Sequence, residues 1–518
     1  MALKDKETVE TIHSAGGTEG TLEQAAGVKD EDNLEKNPLE AEPDATQEVL
    51  EQAADGEKEE KAKKAAAADD DSDIVRSSQM TEYLVFAGLA VILLIMGVAL
   101  MPSFQEVLSG YKTIIMHPAL IDFDAFSWAG NYATPFFNSG ILLLAVLLTY
   151  KLTNTDLQGV QIAAMMMVVG FAFYGKNPLN VCFPVLGVML HSVILKKKLS
   201  SVMALAWFST ALSPVFSVLA YGTETLVPGS ALALIVGAVF AILAGMLISV
   251  FSSYLPMLHK GRILYNAGFA AGLAGMLINA LQKAFSIGHD RYPYQDTNYV
   301  TGENKLFALL LLAIFAYFII TGIALGGRRR YKKLIWYRCF GGNFVQEHGF
   351  GACLINMGVV GLLATGYVFL TTTGQLNGTI YACILTAVGF AAAGVTVREY
   401  LPTMAGVFVM SFITGGVSGV IGGGEFIASA FAKVGSRSML LAAIYSCGLA
   451  PVVGTFGWLA GMFVGAVHSI LVPNTGALHS WMSLYNNGFS LSLIALFLFP
   501  IYSKIRVGKR TLGAGPVD

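Results

Sequence analysis

Four asparagines carry the clearest chemical signal in this sequence. Asn138, Asn266, Asn356 and Asn486 each begin an N-x-G triplet near the start of an apolar segment, and they fall into two matched pairs. An amide placed in hydrocarbon is costly unless it is hydrogen-bonded, so these groups are expected to face the protein interior. The glycine two residues on permits close backbone approach or a local break. Paired amides donate to and accept from a small polar solute without adding charge; the competing roles are interhelical bonding and helix capping. Two of the asparagines sit in a string that occurs twice, Leu264-Tyr265-Asn266-Ala267-Gly268-Phe269 and Leu484-Tyr485-Asn486-Asn487-Gly488-Phe489. Tyr265 and Tyr485 bring hydroxyls to these positions, or serve as interfacial aromatics.

His259 and His479 each precede their asparagine by seven residues, about two helical turns, which suits a gate or a proton-sensitive mouth as well as an interfacial position with no role. No histidine spacing resembles a metal site, and no metal or other cofactor is expected. Carboxylates are scarce in the apolar body, where Glu347, Glu399 and Glu425 are the candidates. Glu425 closes the glycine-rich run Gly415–Gly424, read as a loop that either re-enters the membrane with a coupling-ion or proton site or lies outside as a flexible turn. No G-K-[ST] follows it, so it is no phosphate cradle.

The elements that hold these residues are membrane spans. Of 518 residues, 54% are hydrophobic and 13% charged, with a mean hydropathy of +0.60. This composition predicts an all-α polytopic membrane protein. The net charge of -2 conceals an asymmetry: residues 1–80 hold 22 of the 35 acidic groups and 9 of the 33 basic ones. Residues 1–79 are expected to form a disordered acidic cytoplasmic tail. Residues 80–133 hold the first span and its connection, 134–303 a first repeat, 304–350 a linker span and basic loop, 351–503 a second repeat, and 504–518 a basic tail. About 14 transmembrane segments are expected in all.

The repeat rests on matches in one order. Asn138-Ser139-Gly140 pairs with Asn356-Met357-Gly358, Leu157-Gln158-Gly159 with Leu376-Asn377-Gly378, and Gly170-Phe171-Ala172 with Gly389-Phe390-Ala391. Pro184 pairs with Pro402, and Leu212-Ser213-Pro214-Val215 with Leu449-Ala450-Pro451-Val452. Placing Lys196–Lys198, Lys260–Arg262, Arg328–Lys333 and Lys504–Arg510 inside makes both termini cytoplasmic and inserts the halves in opposite senses. Segments 160–174 and 378–393 are short for full spans, so broken or re-entrant elements are expected at matched places, the alternative being tight helical hairpins.

His348-Gly349-Phe350-Gly351-Ala352, Asn356-Met357-Gly358 and the Leu484–Phe489 string resemble an uncharacterised family of bacterial multi-pass membrane proteins. That resemblance implies a bacterial inner-membrane origin. The segments opened by Tyr265-Asn266 and Tyr485-Asn486 look like the polar-headed segments of urea-transporter-like channels, which also consist of inverted repeats. Those channels have five-span halves and proline motifs not placed here, so no site residue is carried over. The sequence as a whole predicts a transporter or channel, not an enzyme, for a small polar or weakly charged solute. Its pathway is expected between the halves, with the lipid bilayer as surroundings and no nucleic-acid partner; a coupling ion and a homo-oligomer stay open. The alternatives are an intramembrane enzyme acting on a lipid-linked substrate and a scaffold that recruits a partner through its acidic tail.

Overall fold

The computed structural model describes residues 77–117, 123–223, 225–259, 263–287, 304–338, 341–372 and 374–504, with the backbone alone at 256–259, 304 and 499–504. The expected disordered tail, apart from its last three residues, lies outside these. So do most of the 282–304 loop, Lys260–Arg262 and all but the first residue of the basic C-terminal tail. The described residues are helical throughout.

The first half holds α1 (Gln79–Ala99), α2 (Phe104–Met116), α3 (Ala125–Trp128), α4 (Ala133–Leu152), α5 (Gly159–Phe171), α6 (Pro178–Ile194), α7 (Met203–Phe208), α8 (Ser213–Tyr221), α9 (Ala231–His259) and α10 (Asn266–Ala284). The second holds α11 (Asn304–Ala324), α12 (Arg328–Leu334), α13 (Phe344–His348), α14 (Phe350–Thr372), α15 (Gly378–Phe390), α16 (Val397–Ile421), α17 (Phe426–Val434), α18 (Arg437–Tyr445), α19 (Ala450–Phe456), α20 (Trp458–Thr475) and α21 (Asn486–Lys504).

Among the described residues nine helical stretches are long and apolar enough to cross a membrane, against about 14 segments expected. The difference lies in the short elements. α5 and α15 have 13 residues each, about 20 Å of helix against a hydrocarbon core of about 30 Å. α6 and the apolar part of α21 are short as well. The chain is a multi-pass membrane protein.

Each short helix ends in a break with a local cause. After α5 the chain passes through Gly175 at φ +90, then Asn177 and Pro178 start α6. Asn177 accepts from the N–H groups of Leu179 and Asn180, and the Asn180 side chain accepts from Asn177 N–H. Proline at the first helical position lacks an N–H that would have no helical partner anyway. After α15 the break comes at Gly394, φ +123.

Such breaks release carbonyls, and an asparagine collects them in each half. Asn138 Nδ2 donates to Ala172 O at 3.1 Å and Lys176 O at 2.7 Å. Asn356 Nδ2 donates to Ala391 O at 2.9 Å and Val395 O at 2.7 Å. The helix starts are capped across the halves. Gly159 N–H donates to Asn343 Oδ1 at 2.9 Å, and Gly378 N–H to Asp124 Oδ1 at 3.0 Å. Burial pushes the Asp124 carboxyl above its ordinary pKa, against the opposing pull of the Gly378 and Phe126 N–H groups, Ser127 and the Arg437 charge.

Packing repeats the same exchange. A methyl group at Gly170 would meet Ala382 O, and one at Gly389 would meet Ala163 O, positions paired by the same offset. Leu264 N–H donates to Gly448 O, and Leu484 N–H to Ala211 O. α1 packs along α4 as α11 packs along α14, and α6 along α9 as α16 along α20. The span at 304–324, expected as a linker between halves, thus has the same kind of neighbour as the first span.

The run Gly415–Gly424 departs from the expected loop. Its residues up to Ile421 continue α16, and only Gly422–Gly424 form a turn. Gly415, Gly416 and Gly419 leave room for Lys433, Phe426 and Ser429 of α17, which folds back along α16. The glycines serve helix packing.

Replacing Asn138 or Asn356 by leucine leaves two carbonyls without their donor, and each variant is expected to lose ~1–3 kcal/mol per stranded group. Asp124→Ala and Asn343→Ala are expected to cost about 0.5–2 kcal/mol each through loss of a helix cap. Thermal unfolding in detergent checks both; a negligible effect of Asn356→Leu beside a large effect of Asn138→Leu would break the matched roles.

Candidate functional site

The two copies of the Tyr-Asn-x-Gly-Phe string meet. A methyl group at Gly268 would lie 2.8 Å from Gly488 Cα, and one at Gly488 would lie 3.1 Å from Gly268 Cα, so the first turns of α10 and α21 cross in contact. Phe269 and Phe489 pack beside the crossing with ring centroids 5.3 Å apart. A cavity of about 320 Å³ surrounds it, lined by Tyr265, Asn266 and Gly268 from one copy and by Tyr485, Asn487 and Gly488 from the other. A second cavity of about 80 Å³ shares Phe171, Tyr445, Leu484 and Asn487 with the first and adds Thr379, Arg437 and Asn486. Those four shared residues form the wall between the cavities.

Behind the wall lies Lys176, in the break between α5 and α6 and fully buried. Its Nζ donates to Thr210 Oγ1 at 2.8 Å and to the Tyr485 hydroxyl at 2.5 Å. It also lies 4.6 Å from the centre of the Phe171 ring and 4.5 Å from that of Tyr485. Hydroxyl oxygens and aromatic faces are both attractive to an ammonium. The matched positions in the other half are Val395, Cys447, Phe390 and Tyr265. There the Tyr265 hydroxyl and Cys447 Sγ are 2.8 Å apart, and the Tyr265 and Phe390 rings meet edge-on at 4.3 Å. The frame is shared; a lysine amine is present on one side.

The asparagine pairs thus have different settings. Asn138 and Asn356 hold the hairpin breaks and line neither cavity, and their Oδ1 atoms have no hydrogen-bond partner among the described residues. Asn266 is half-buried and lines the large cavity. Asn486 is tied within its own half: its Oδ1 accepts from Thr475 Oγ1 at 2.8 Å and lies 3.2 Å from His479 Nε2, and its Nδ2 donates to Val472 O at 3.0 Å. The contact across the halves therefore falls on the glycines. Tyr265 and Tyr485 are buried in the cavity wall and not interfacial.

His479 is buried against Phe489 and borders neither cavity. The backbone of His259 closes α9, and its side chain lies outside the described residues. Glu425 is exposed at the start of α17, after the Gly422–Gly424 turn, and lines neither cavity. Among the described residues, no group of three His, Cys, Asp or Glu side chains could hold a metal ion.

Lys176 and Arg437 were not singled out by sequence reasoning. Each carried a signal: Lys176 is a lone cation in the turn between two apolar segments, and Arg437 precedes the apolar run beginning at 438. Arg437 is 4% exposed, and its guanidinium lies 5.7 Å from the centre of the Tyr174 ring.

No curated protein and no solved structure matches the chain. Residues 103–284, 339–421 and 417–504 match the family described as "Protein of unknown function (DUF1576)". Those segments take in α2 to α10 and α13 to α21, the elements that build both hairpins, the crossing and the two cavities, and the chain belongs to that family.

Proposed function

We propose that this protein is a membrane transporter or channel for a small polar or weakly charged solute, with its pathway between two halves inserted in opposite senses. The observation that supports this most is the cavity at the crossing of α10 and α21, whose lining comes from both copies of the repeated string. Contacts of the form i to j′ and j to i′ are those of a two-fold axis relating duplicated units. Midplane sites between such units, at the ends of interrupted helices, are a recurrent design of secondary transporters.

On this reading α1 and α11 open equivalent halves. Each half then crosses the membrane an odd number of times, with its short hairpin entering and leaving on one face. The clusters Lys196–Lys198, Lys260–Arg262, Arg328–Lys333 and Lys504–Arg510 all fall on the cytoplasmic side, as do both termini. Ser201 and Ser252 of the large cavity lie near two of those clusters in the chain, so that cavity faces the cytoplasm. The small cavity faces the opposite side. Phe171, Tyr445, Leu484 and Asn487 form the barrier whose opening and closing alternates access. Among the described residues neither cavity is lined by aspartate, glutamate or histidine, which favours passage of a solute over acid–base catalysis.

Reconstituted vesicles give the test. Stopped-flow shrinkage and uptake are measured for a panel of small amides, polyols and carboxylates, with the wild type and with Ala204→Trp, whose ring would fill part of the large cavity. At least one solute is expected to cross wild-type vesicles faster than empty ones, and Ala204→Trp is expected to remove that excess while still unfolding cooperatively. If no solute moves under any gradient, or the tryptophan variant conducts normally, the pathway assigned here is wrong.

A further inference from the structure

The surroundings of the large cavity are electrostatically one-sided. Among the described residues no carboxylate lines either cavity. Lys176 stands one side chain behind the wall, held by two neutral hydroxyls and two ring faces. Among the described residues no carboxylate pairs with it. Arg437 lines the second cavity, with Asp124 within reach of its field but in neither lining. The first turns of α10 and α21, helices of 19 residues each, bring their N-terminal N–H ends to the same space, where a helix carries partial positive charge.

The rest of the lining sets the solute's body. Met167, Phe171, Leu205, Phe208, Phe390 and Tyr445 make most of the wall apolar. Two polar atoms in the lining residues, Gln161 Oε1 and Ser252 Oγ, are buried without a hydrogen-bond partner. Tyr485 joins the cavity to Lys176: its oxygen accepts from Lys176 Nζ, and its hydroxyl is also hydrogen-bonded to Thr210.

From this arrangement we infer that the solute is a small organic anion, a carboxylate or a group of like charge on an apolar body. It is held in the large cavity beside Tyr485, with Lys176, protonated when the anion is bound, as the countercharge behind it. Lys176 is a positioning residue: it orients and polarises Tyr485, and its charge offsets that of an anion removed from water. The matched site with Val395, Cys447 and Tyr265 has no such charge, so the anion is held toward one side of the cavity. The inference names the solute class for the pathway proposed above and rests on that reading.

Binding and passage are measured separately. Purified full-length protein is unfolded by heat at constant ionic strength with butyrate or benzoate, and with butyramide or benzamide as neutral partners of the same shape. A ligand that binds only the folded state raises the unfolding temperature in a saturable way. The carboxylates are expected to bind roughly tenfold or more tightly than their amides. Lys176→Met is expected to weaken carboxylate binding by roughly 30-fold or more, the low end for removing one partner of a buried charge interaction, with amide binding unchanged. Tyr485→Phe is expected to lower carboxylate affinity roughly tenfold, and Lys283→Met, on the far part of α10, to leave it unchanged.

No saturable carboxylate shift, equal binding of carboxylate and amide, or a Lys176→Met protein that keeps the preference would each overturn the inference. Should Lys176→Met fail to fold, the wild-type carboxylate-to-amide ratio and Tyr485→Phe decide it. Carboxylate binding without carboxylate flux in vesicles would retire the transport reading and leave the anion site standing. Flux of a neutral solute with no carboxylate binding would do the reverse.

Discussion

A backbone polar group with no water at hand needs a partner inside the protein, and this constraint shapes the protein more than any other. A helix broken within an apolar body exposes carbonyls at one end and N–H groups at the other. The carbonyls released at the two breaks are taken up by Asn138 and Asn356, each bridging acceptors four residues apart. The first N–H groups of α5 and α15 go to Asn343 and Asp124, each supplied by the other half. Neither hairpin is complete within its own half. The two halves therefore depend on each other, and α5 packs along α15 between them.

Close approach of helices follows from the same setting. Where lipid is as apolar as the side chains, helix association depends on backbone proximity and van der Waals contact. Gly187 and Gly245 bring α6 against α9, and Gly406 and Gly465 do the same for α16 and α20. Gly268 and Gly488 bring α10 against α21, and a side chain at either would push apart the one crossing where both copies of the repeated string reach the cavity. The local cost of glycine in a helix, about 1 kcal/mol relative to alanine, is accepted at these points because nothing larger fits.

Much of this was legible in the sequence, for physical reasons that also mark where legibility ended. Hydropathy reveals spans because hydrocarbon forbids most alternatives. Matched landmarks recur in one order because glycine, proline and buried amides hold positions that few residues can take. The short segments near 160–174 and 378–393 showed themselves by length, and the breaks by Gly175, Pro178 and Gly394. The run Gly415–Gly424 misled because glycine serves loops and close helix contacts equally, and only a partner, here α17, tells them apart. The asparagines were correctly read as interior, yet their division of labour was hidden: which amide holds a hairpin and which meets the cavity depends on contacts far apart in the chain. Lys176 was hidden for a related reason, since a lone lysine in a turn reads as solvated until its neighbours are known to be Thr210, Phe171 and Tyr485 from three separate elements.

Divergence between the halves carries as much meaning as their likeness. Here the aromatic and hydroxyl frame is kept, as Phe171 with Tyr485 and Phe390 with Tyr265, while the positions inside it differ: Lys176 against Val395 and Thr210 against Cys447. The ammonium occupies its frame, bound to hydroxyls and ring faces. The thiol and the valine bring no charge to theirs. A buried cation is costly unless solvated by its surroundings, so the frame around Lys176 has to be more than a packing solution. It supplies the oxygens and π faces that let the charge remain where the backbone turns. The two halves thus hold matched cradles, and a lysine amine fills one of them.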